Sequence, residues 1–466
     1  MVDLSEAGVR LRDYRPEPTP SVGGIIRRRD RRRRRRRLAG GLAGLAIVAA
    51  IAVVVVAVVS PWDTGRRILT ASGRGQSNLP AVASVTAAQL AAGRWSTMPV
   101  APIAPRLEPS LVWTGIELIV WGGYSGADPT VLHSDGAAYN PSTNRWRVLP
   151  PAPLSARNGQ TTVWTGSEMV VWGGHDQLEP LHVTSDGAAY DPADNKWKVL
   201  PPAPLSPRAR ALGVWTSKGV LILGGFPGVT TGFDNVVVDG ALYNPATNRW
   251  HHIAAPSAPP DHGLGWTIAV NAGDEVVAWS HWTVAPISGA NGVERAGSAG
   301  ADMFAYNERS DQWRLVPPSG QLVQVVFQAV WTGQYLIVRG NGAYCLTCKV
   351  QSPEKTALYS PAHETWTGVP ADPLELFHPL SVWTGAALLS VDVSGGSGIT
   401  HPGDATAYDP ATRQWVKVPS APFGCDDLAP PFDAAVWTGQ KVLLYCQSSP
   451  STQQAGTAGL VFTPGG

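Results

Sequence analysis

The segment "YNPSTNRW" at residues 139–146 recurs along the chain, and this recurrence decides the fold. Asn followed by Pro starts a tight turn, because the Asn side chain bonds the nearby backbone and Pro presets φ. Each copy therefore predicts one β-hairpin, and a spacing near fifty residues predicts a repeat protein. The copies are "YDPADNKW" (190–197), "YNPATNRW" (243–250), "YNERSDQW" (306–313), "YSPAHETW" (359–366) and "YDPATRQW" (408–415).

A second motif, "VWTG" with its variants "VWTS" and "GWTI", recurs with nearly the same period, and we call it the Trp-Thr motif. In the first unit it ends the apolar run "SLVWT" (110–114), and "ELIVWGG" (117–123) follows. "GAAYNP" (136–141) and "RWRVLP" (145–150) complete four short strands separated by Gly, Pro and Asn. This pattern is typical of a β-propeller with four strands per blade. The motif is found at Trp113, Trp164, Trp215, Trp266, Trp331, Trp383 and Trp437.

The two motifs differ in number, and the difference predicts how the ring closes. Seven Trp-Thr motifs accompany only six turn motifs, and the last unit ends at a third strand, 459–464. "GRWSTMP" (93–99) reads as the missing fourth strand. Its pairing with 459–464 would remove the free edges of the sheet stack. The sequence thus predicts an all-β, seven-bladed propeller over 93–466, closed by an N-terminal strand, with the periodic Trp residues packed between blades.

The unit from Arg157 to Trp197, "R…VWTG…MVVWGG…DGAAYDPADNKW", resembles a kelch repeat. The resemblance covers 93–466 and is strongest in the first three blades; the fourth blade reads "VVAWSHW" and lacks the Gly-Gly doublet. It implies a kelch-type propeller, similar to membrane-anchored bacterial kelch proteins and to the central domain of galactose oxidases. It implies no single activity, because kelch propellers serve adhesion, scaffolding and several enzymes.

The N-terminal region predicts a membrane anchor. Residues 1–37 carry 13 Arg and 5 acidic residues, a net charge of +8, whereas the whole chain carries only +1. Leu38–Val59 is uncharged and long enough, at about 33 Å of helix, to cross a bilayer. We therefore predict a disordered cytoplasmic tail (1–37), a single transmembrane helix in the lipid bilayer (38–60) and an extracellular linker (61–92).

Two other interpretations of this region stay open. A cleaved signal peptide would need an apolar run of about 7–15 residues, shorter than the one present, and Pro61 stands where cleavage would fall. The Arg run 27–37 also resembles a nucleic-acid or nuclear-localisation patch, but next to an apolar span it is better explained as a stop signal that binds anionic lipid. We expect no nucleic-acid partner.

The loops predict where a ligand binds. Along a meander, the first-to-second and third-to-fourth connections share one side of the propeller, the turn face; the others share the opposite side, the loop face. Connections on the loop face are long and differ between blades, as expected where binding residues lie on loops. The second-to-third connections there include 124–135, 175–186, 226–239, 281–301, 341–355 and 392–404.

Histidines concentrate on the predicted loop face. A metal site would require tight ligand spacing or convergence of loops, and no His pair has such spacing, so we predict neither a metal nor a cofactor. The candidate ligand-binding residues are His133, His175, Asp176, His182, His281 and His401, with His262 and His378 also in loop-face connections.

Two charged positions recur with the scaffold. For Arg106, Arg157 and Arg208, before the first strands, we expect hydrogen bonds between blades, with a cationic lining of the central opening as the alternative. For Asp135, Asp186 and Asp239, before the third strands, we expect a hydrogen bond that closes the loop.

The four cysteines suit an oxidising compartment. Cys425 precedes the first strand of the last blade and Cys446 ends its second strand, so antiparallel pairing favours a disulfide between them. For Cys345 and Cys348 ("CLTC") a local disulfide is the leading interpretation, with a redox or metal role as the alternative.

Functional motifs leave three hypotheses. The chain lacks GxSxG, HExxH and Walker signatures, and we predict no catalytic residue. The leading hypothesis is a membrane-anchored extracellular propeller that binds a cell-surface glycan, small molecule or protein through its loop face. The alternatives are an extracellular carbohydrate-active enzyme with a site assembled from dispersed loops, and a signalling protein with a regulatory tail.

Overall fold

The structure is a computed structural model, and it describes residues 84–466 with several gaps. The predicted tail (1–37) and transmembrane helix (38–60) lie outside the described residues. Within the part that is described, no helix is long and apolar enough to cross a membrane. The gaps are 126–130, 179–180, 229–236, 258–264, 285–286, 289–293, 296–297, 321, 342–343, 346–353, 377–378, 393–402, 423–433 and 446–458.

Seven antiparallel sheets form the described propeller, and each contributes four strands to one blade; the sheet of blade 4 has a fifth strand paired to it. Blade 1 contains β2 (Ser110–Trp113), β3 (Leu118–Trp121), β6 (Gly136–Asn140) and β7 (Arg145–Val148). Blade 2 contains β8 (Thr161–Trp164), β9 (Met169–Trp172), β12 (Gly187–Asp191) and β13 (Lys196–Val199). Blade 3 contains β14 (Leu212–Trp215), β15 (Val220–Leu223), β16 (Gly240–Asn244) and β17 (Arg249–Ile253).

The remaining blades have the same order but longer strands in places. Blade 4 contains β18 (Trp266–Asn271), β19 (Glu275–Val284), β22 (Ser298–Asn307) and β23 (Gln312–Val316). Blade 5 contains β24 (Val325–Trp331), β25 (Leu336–Asn341), β27 (Glu354–Ser360) and β28 (Thr365–Gly368). Blade 6 contains β29 (Leu380–Trp383), β30 (Leu388–Val391), β31 (Ala405–Asp409) and β32 (Gln414–Val418). Blade 7 contains β33 (Ala434–Trp437), β34 (Val442–Tyr445), β35 (Gly459–Thr463) and the N-terminal strand β1 (Arg94–Thr97).

The predicted closure of the ring is confirmed. Strand β1 pairs antiparallel with β35, with Trp95 opposite Phe462. The two rings lie 4.8 Å apart between centroids, and Phe462 is fully buried. Residues of blade 7, among them Leu443 and Val461, also share a hydrophobic cluster with blade 1. The chain is therefore a seven-bladed β-propeller whose last blade is completed by its first strand.

The turn motif forms a hairpin with a fixed hydrogen-bond pattern. In blade 2 the Asp191 carboxylate accepts the backbone N–H of Ala193, and the Tyr190 hydroxyl donates to Asn195 Oδ1 at 2.6 Å. Asn195 has φ of 53°, a left-handed conformation that Asn tolerates better than most residues. The same Tyr hydroxyl bond to the left-handed residue recurs in blades 1, 3 and 4. Local side-chain chemistry thus explains why the motif is repeated.

The periodic Trp residues of the fourth strands join neighbouring blades, as predicted. Each indole stands about 5 Å from the Tyr of its own turn motif in blades 1 to 6, and its N–H donates to a carbonyl that follows the previous blade. The donor and acceptor pairs are Trp95–Pro419, Trp146–Pro99, Trp197–Pro150, Trp250–Pro201, Trp313–Ala254, Trp366–Pro317 and Trp415–Pro370.

One of the seven Trp-Thr motifs is not equivalent to the others, which corrects the sequence analysis. Trp113 pairs with Leu118 across the first hairpin, but in blade 4 the residue in this position is Asn271, opposite Val276. Trp266 lies at the start of β18, beyond a β-bulge, and stacks on Trp313 at 5.2 Å. Asn271 instead donates to the carbonyl of Trp215 in blade 3.

The described chain begins with a short segment bound to blade 6. Helix α1 (Ala87–Ala91) has a capping box at Thr86 and buries Leu90. Thr384, in the first-to-second turn of blade 6, exchanges hydrogen bonds with Val85. The chain therefore enters the propeller on the turn face and leaves the loop face to the variable connections.

Three two-stranded hairpins of the described chain lie on the loop face. They lie in the second-to-third connections of blades 1, 2 and 4, and they confirm that this face varies while the scaffold repeats. The hairpins are β4 (Tyr124–Ser125) with β5 (Val131–Leu132), β10 (His175–Leu178) with β11 (Leu181–Val183), and β20 (Ile287–Ser288) with β21 (Glu294–Arg295); a further strand, β26 (Tyr344–Cys345), pairs with β22.

Candidate binding site on the loop face

A buried Arg closes the second-to-third loop in each of the first three blades. The Arg157 guanidinium is fully buried and donates two hydrogen bonds to the Asp186 carboxylate, at 2.8 and 3.1 Å. The same guanidinium donates to the carbonyl of Gly173, the first residue of the Gly-Gly doublet. The equivalent pairs are Arg106 with Asp135 and Arg208 with Asp239. We call these three ion pairs the Arg–Asp clasps.

The clasps refine the two expectations for these positions. The main chain of Arg157 bonds between blades as expected, since its carbonyl accepts the N–H of Gly123 in blade 1. The guanidinium binds within its own blade and is buried, so it does not line the opening. The backbone carbonyl of Asp186 accepts the N–H of Gly173 and so closes the loop. The Asp186 carboxylate accepts hydrogen bonds from Arg157. Burial acts to raise the pKa of Asp186, but the hydrogen bond and charge of Arg157 outweigh it and hold that pKa below its usual value.

The residues that follow the clasps stand at the inner rim of the loop face. They lead directly into the first strands, which contact each other from blade to blade and are therefore innermost. Glu108, Gly159 and Arg210 occupy equivalent positions, with φ of 48°, 62° and 56°. The left-handed conformation costs a non-Gly residue free energy, and such strain clusters at functional sites.

In each of the first three blades, the backbone of one aromatic residue is bridged to this segment. The residue after each Gly-Gly doublet forms a backbone bridge with the residue after the clasp Arg: Leu107 with Tyr124, Asn158 with His175, and Ala209 with Phe226. Tyr124 and Phe226 are half-buried, and His175, between them, is 8% exposed. We define the collar as residues 107–108, 158–159 and 209–210 together with Tyr124, His175 and Phe226.

An ion pair crosses the collar from blade 1 to blade 3. Glu108 Oε1 accepts from Arg210 Nη2 at 3.0 Å, and Glu108 Oε2 accepts from Asn158 Nδ2 at 2.8 Å. Both charged side chains remain partly exposed, 13% for Glu108 and 24% for Arg210. The carboxylate thus links residues of three blades while its ion pair stays open to solvent.

Beneath the collar, polar side chains connect the first strands. Gln160 Nε2 donates to Ser110 Oγ at 2.7 Å, and Ser110 Oγ lies 2.5 Å from Thr162 Oγ1. Thr161 donates to the carbonyl of Ala211 in blade 3. These bonds fix the inner edges of blades 1 to 3 relative to each other, so the collar above them is preorganised.

The electrostatics of the collar favour neutral rings. Burial, assisted by the charge of Arg210 and opposed by Asp176, lowers the pKa of His175 to about 4, so its imidazole is neutral at neutral pH. Burial and the charge of Glu108 raise the pKa of Tyr124 to about 12, so its phenol keeps its proton. Glu108 and Arg210 are then the charged members of the collar, and they neutralise each other.

Comparisons with known proteins agree with this architecture. A family model described as the KLHDC2/KLHL20/DRC7 Kelch-repeats domain matches residues 56–279. The chain is kelch-like. It is 27% identical to a kelch-like protein, terF, of Aspergillus terreus over 36% of this chain and 39% of that protein. It is 23% identical to a putative F-box/kelch-repeat protein of Arabidopsis thaliana over 55% of this chain and 66% of that one. The chain thus spans less than two thirds of either relative's length.

The propeller places the predicted binding residues at three positions on the loop face. His175 belongs to the collar, while Asp176 and His182 form a pair beside it, with Asp176 Oδ1 and His182 Nδ1 2.5 Å apart. His133 lies next to the clasp of blade 1, bonded to Ser125 Oγ at 2.8 Å. Burial and the charge of Arg106 lower the pKa of His133, against the opposing charge of Asp135.

His281 corrects the prediction of a loop over 281–301. It lies within β19, opposite Ala301, and its Nε2 accepts the N–H of Val326 in blade 5. Burial lowers the pKa of His281 to about 3, so its ring joins two blades as a neutral acceptor. Within the described ranges, no group of three or more His, Cys, Asp or Glu side chains could hold a metal ion.

Other predicted positions lie outside the described residues. His401 falls in the gap 393–402, and Cys348, Cys425 and Cys446 fall in other gaps. Cys345 is in β26, where its backbone is opposite Ser298 of β22. Both disulfides therefore stay predictions.

Most of the collar was missed by sequence reasoning. Glu108 and Arg210 are two residues beyond the recurrent Arg, and Tyr124 and Phe226 directly follow the Gly-Gly doublets. The scaffold motifs repeat in the sequence, whereas the residues at these positions change from blade to blade. Residues that vary at a fixed distance from a repeated motif were the signal that could have found them.

Proposed function

We propose that this kelch propeller is a membrane-anchored binding protein that recognises a cell-surface glycan, small molecule or protein segment through its loop face. The observation that carries the proposal is the collar, where three neighbouring blades present different polar and aromatic side chains on an otherwise repeated scaffold. Ligand sites typically combine apolar and aromatic walls with a few placed polar groups. The variable hairpins β4–β5 and β10–β11 extend from the same face.

The anchoring part of the proposal rests on the sequence before the propeller. An uncharged run, Leu38–Val59, follows an Arg run, and this order favours a cytoplasmic N-terminus and an extracellular propeller. An extracellular location would also favour the disulfides Cys425–Cys446 and Cys345–Cys348.

Binding is better supported than catalysis at this site. Glu108 is the carboxylate at the centre of the collar, and its two oxygens are held by Asn158 and Arg210. Both carboxylate oxygens are thus engaged inside the collar, and no second carboxylate belongs to the collar as defined. The collar is therefore better suited to form hydrogen bonds with a ligand than to carry out chemistry on it.

A photocrosslinker at the collar tests the proposal. Phe226→p-benzoylphenylalanine in the full chain, irradiated on intact cells, is expected to give a discrete crosslinked product, because the ring stands at the rim of the collar. The matched control places the same residue at Ser142, exposed in a turn-face hairpin. Crosslinking from position 142 but not from position 226, read by denaturing gel and mass spectrometry, would refute binding by the loop face.

A further inference from the structure

The outer strands of four consecutive blades begin with a cation on the turn face. Each fourth strand starts there, because the third-to-fourth connections lie on that face. The four side chains are exposed, and among the described residues none of them forms an ion pair. In blades 4, 5 and 6 the equivalent residues are the neutral Gln312, Thr365 and Gln414. We call the four cations the cationic arc: Arg94 in blade 7, Arg145 in blade 1, Lys196 in blade 2 and Arg249 in blade 3.

The net charge of the turn face changes sign across the propeller. In blades 7, 1, 2 and 3 the turn-face connections and the fourth strands hold eight Lys and Arg and four Asp and Glu, a net +4. The same segments of blades 4, 5 and 6 hold four Lys and Arg and six Asp and Glu, a net −2. Such an asymmetry orients a protein toward an anionic surface. The connections counted are 114–117, 140–144, 165–168, 191–195, 216–219, 244–248 and 438–441, against 272–275, 307–311, 332–335, 360–364, 384–387 and 409–413.

Contacts between neighbouring blades fix these turns relative to each other. Lys441 Nζ, in blade 7, lies 3.5 Å from the carbonyl of Pro141 in the turn motif of blade 1. Arg147 of blade 1 donates through Nη1 to Asn195 Oδ1 in the turn motif of blade 2, at 3.1 Å. Its Nε donates to Glu117 Oε1 at 2.9 Å, so this carboxylate is neutralised within blade 1. The cationic arc therefore stands on turns that are tied together rather than on separate loops.

An exposed isoleucine lies on the same side of the turn face. Ile116 is 67% exposed, the highest value among the large hydrophobic side chains of the described chain, and stands in the first hairpin turn of blade 1. One exposed apolar side chain needs no explanation by itself. An apolar residue among cations, however, is the combination that binds the interface of an anionic bilayer. The equivalent residues of the other blades are Ser167, Lys218, Asp274, Gln334, Ala386 and Gln440.

The path of the chain brings the turn face to the predicted membrane. The Thr384 hydroxyl, in a turn of blade 6, donates to the carbonyl of Val85, so the chain reaches the propeller on this face. Residues 61–83 separate the described chain from the predicted transmembrane helix, and they can reach at most about 80 Å. Blade 7, next to blade 6, carries Arg94 of the arc. A bilayer surface is therefore the anionic surface held closest to the arc.

We propose that the cationic arc and Ile116 dock the propeller on an anionic lipid bilayer, with blades 7, 1, 2 and 3 against the headgroups. The Lys and Arg side chains bind lipid phosphates, and Ile116 enters the interface. The loop face, on the opposite side, then points away from the bilayer toward its ligand. This inference rests on the anchoring part of the proposed function and is independent of which ligand the loop face binds.

Photocrosslinking to lipid tests the docking. The full chain with Ser142→p-benzoylphenylalanine, in the turn motif of blade 1, is reconstituted into vesicles of equal parts phosphatidylglycerol and phosphatidylcholine and irradiated. The control places the same residue at Ala362, exposed at the equivalent position of blade 5. Position 142 is expected to give at least about tenfold more lipid adduct than position 362, and this excess should disappear in pure phosphatidylcholine.

Three variants, read from position 142, assign the effect to residues. Arg145→Gln/Lys196→Gln is expected to lower the ratio of docked to free propeller about 25-fold, since each cation near an anionic surface contributes a factor of about five. Ile116→Ser should lower it about tenfold, and Ser suits this turn because blade 2 has Ser167 there. Arg309→Gln/Lys417→Gln is the matched control: it removes two exposed cations from blades 4 and 6 and should leave the ratio unchanged.

The outcomes separate docking from anchoring and from loop-face binding. A chain that does not float with the vesicles would sink the anchor and the docking together. A chain that floats but gives equal adducts from positions 142 and 362, or equal adducts without phosphatidylglycerol, would sink the docking alone. Protein adducts instead of lipid adducts from position 142 on intact cells would also overturn it. Loop-face binding is read from position 226, and a lipid adduct at position 142, identified by its mass, does not count as a ligand in that test.

Discussion

Phe462→Ala is expected to lower the free energy of unfolding by about 3–5 kcal/mol, the usual cost of truncating a buried aromatic side chain. Phe462 is fully buried, contacts Trp95 across the β35–β1 pair and belongs to a hydrophobic cluster that joins blades 6 and 7 with helix α1. Gly93 fits against it so closely that an added Cβ would lie 2.2 Å from Phe462 Cζ. The substitution leaves a cavity where strand β1 completes the last blade.

Urea unfolding of the full chain, followed by Trp fluorescence, measures this loss. Val148→Ala is the control, because Val148 is exposed on the outer strand of blade 1 and its truncation should change stability by less than about 0.5 kcal/mol. If Phe462→Ala unfolds at the same urea concentration as this control, the N-terminal strand does not stabilise the closed ring.

Asp186→Ala is expected to destabilise the propeller by about 2–3 kcal/mol. Removing one partner of a buried ion pair costs about 3–5 kcal/mol, because the other charge stays buried without its counter-charge. The expected loss is smaller here because the Asp186 side chain is half-exposed. Arg157 would keep its carbonyl partners, Ser155 and Gly173, but would lose the carboxylate that neutralises it.

A double variant separates the stranded charge from the loss of packing. Arg157→Met/Asp186→Ala removes both charges and should recover part of the stability lost by Asp186→Ala. Asp194→Ala, in the exposed turn of the same blade, should be nearly neutral. If the double variant loses as much free energy of unfolding as the single variants Arg157→Met and Asp186→Ala lose in total, the two charges do not interact.

The fold could be predicted because its signals are local. The turn motif carries its own hydrogen bonds within five residues, from Tyr190 to Asn195 in blade 2, so each copy predicts a hairpin without knowledge of the rest. The seven Trp-Thr motifs then gave the number of blades, and the six turn motifs showed that one blade needs a closing strand. In blade 4 the Trp-Thr motif lies at the start of β18 rather than at the hairpin, and only strand pairing reveals that Asn271 takes the hairpin position.

The site could be predicted only in outline. The sequence indicated the correct face and placed His175 on it, since variable loops are visible in one chain. The Glu108–Arg210 pair joins residues 102 positions apart, and its formation depends on the curvature that brings blades 1 and 3 to one rim. The clasps were similarly hidden: Arg157 and Asp186 recur together in the sequence, but which atoms they bind depends on burial and on the Gly173 carbonyl.

Hydroxyl-radical footprinting tests most directly whether the collar is the binding site. The full chain is oxidised on intact cells and after purification, and modification of each aromatic side chain is compared by mass spectrometry. Binding at the collar predicts that Tyr124 and Phe226 are protected on cells, while Tyr335, half-exposed in a turn-face hairpin of blade 5, reacts equally in both samples. Protection of Tyr335 with full reactivity of Tyr124 and Phe226 would place the ligand on the turn face and contradict the proposal.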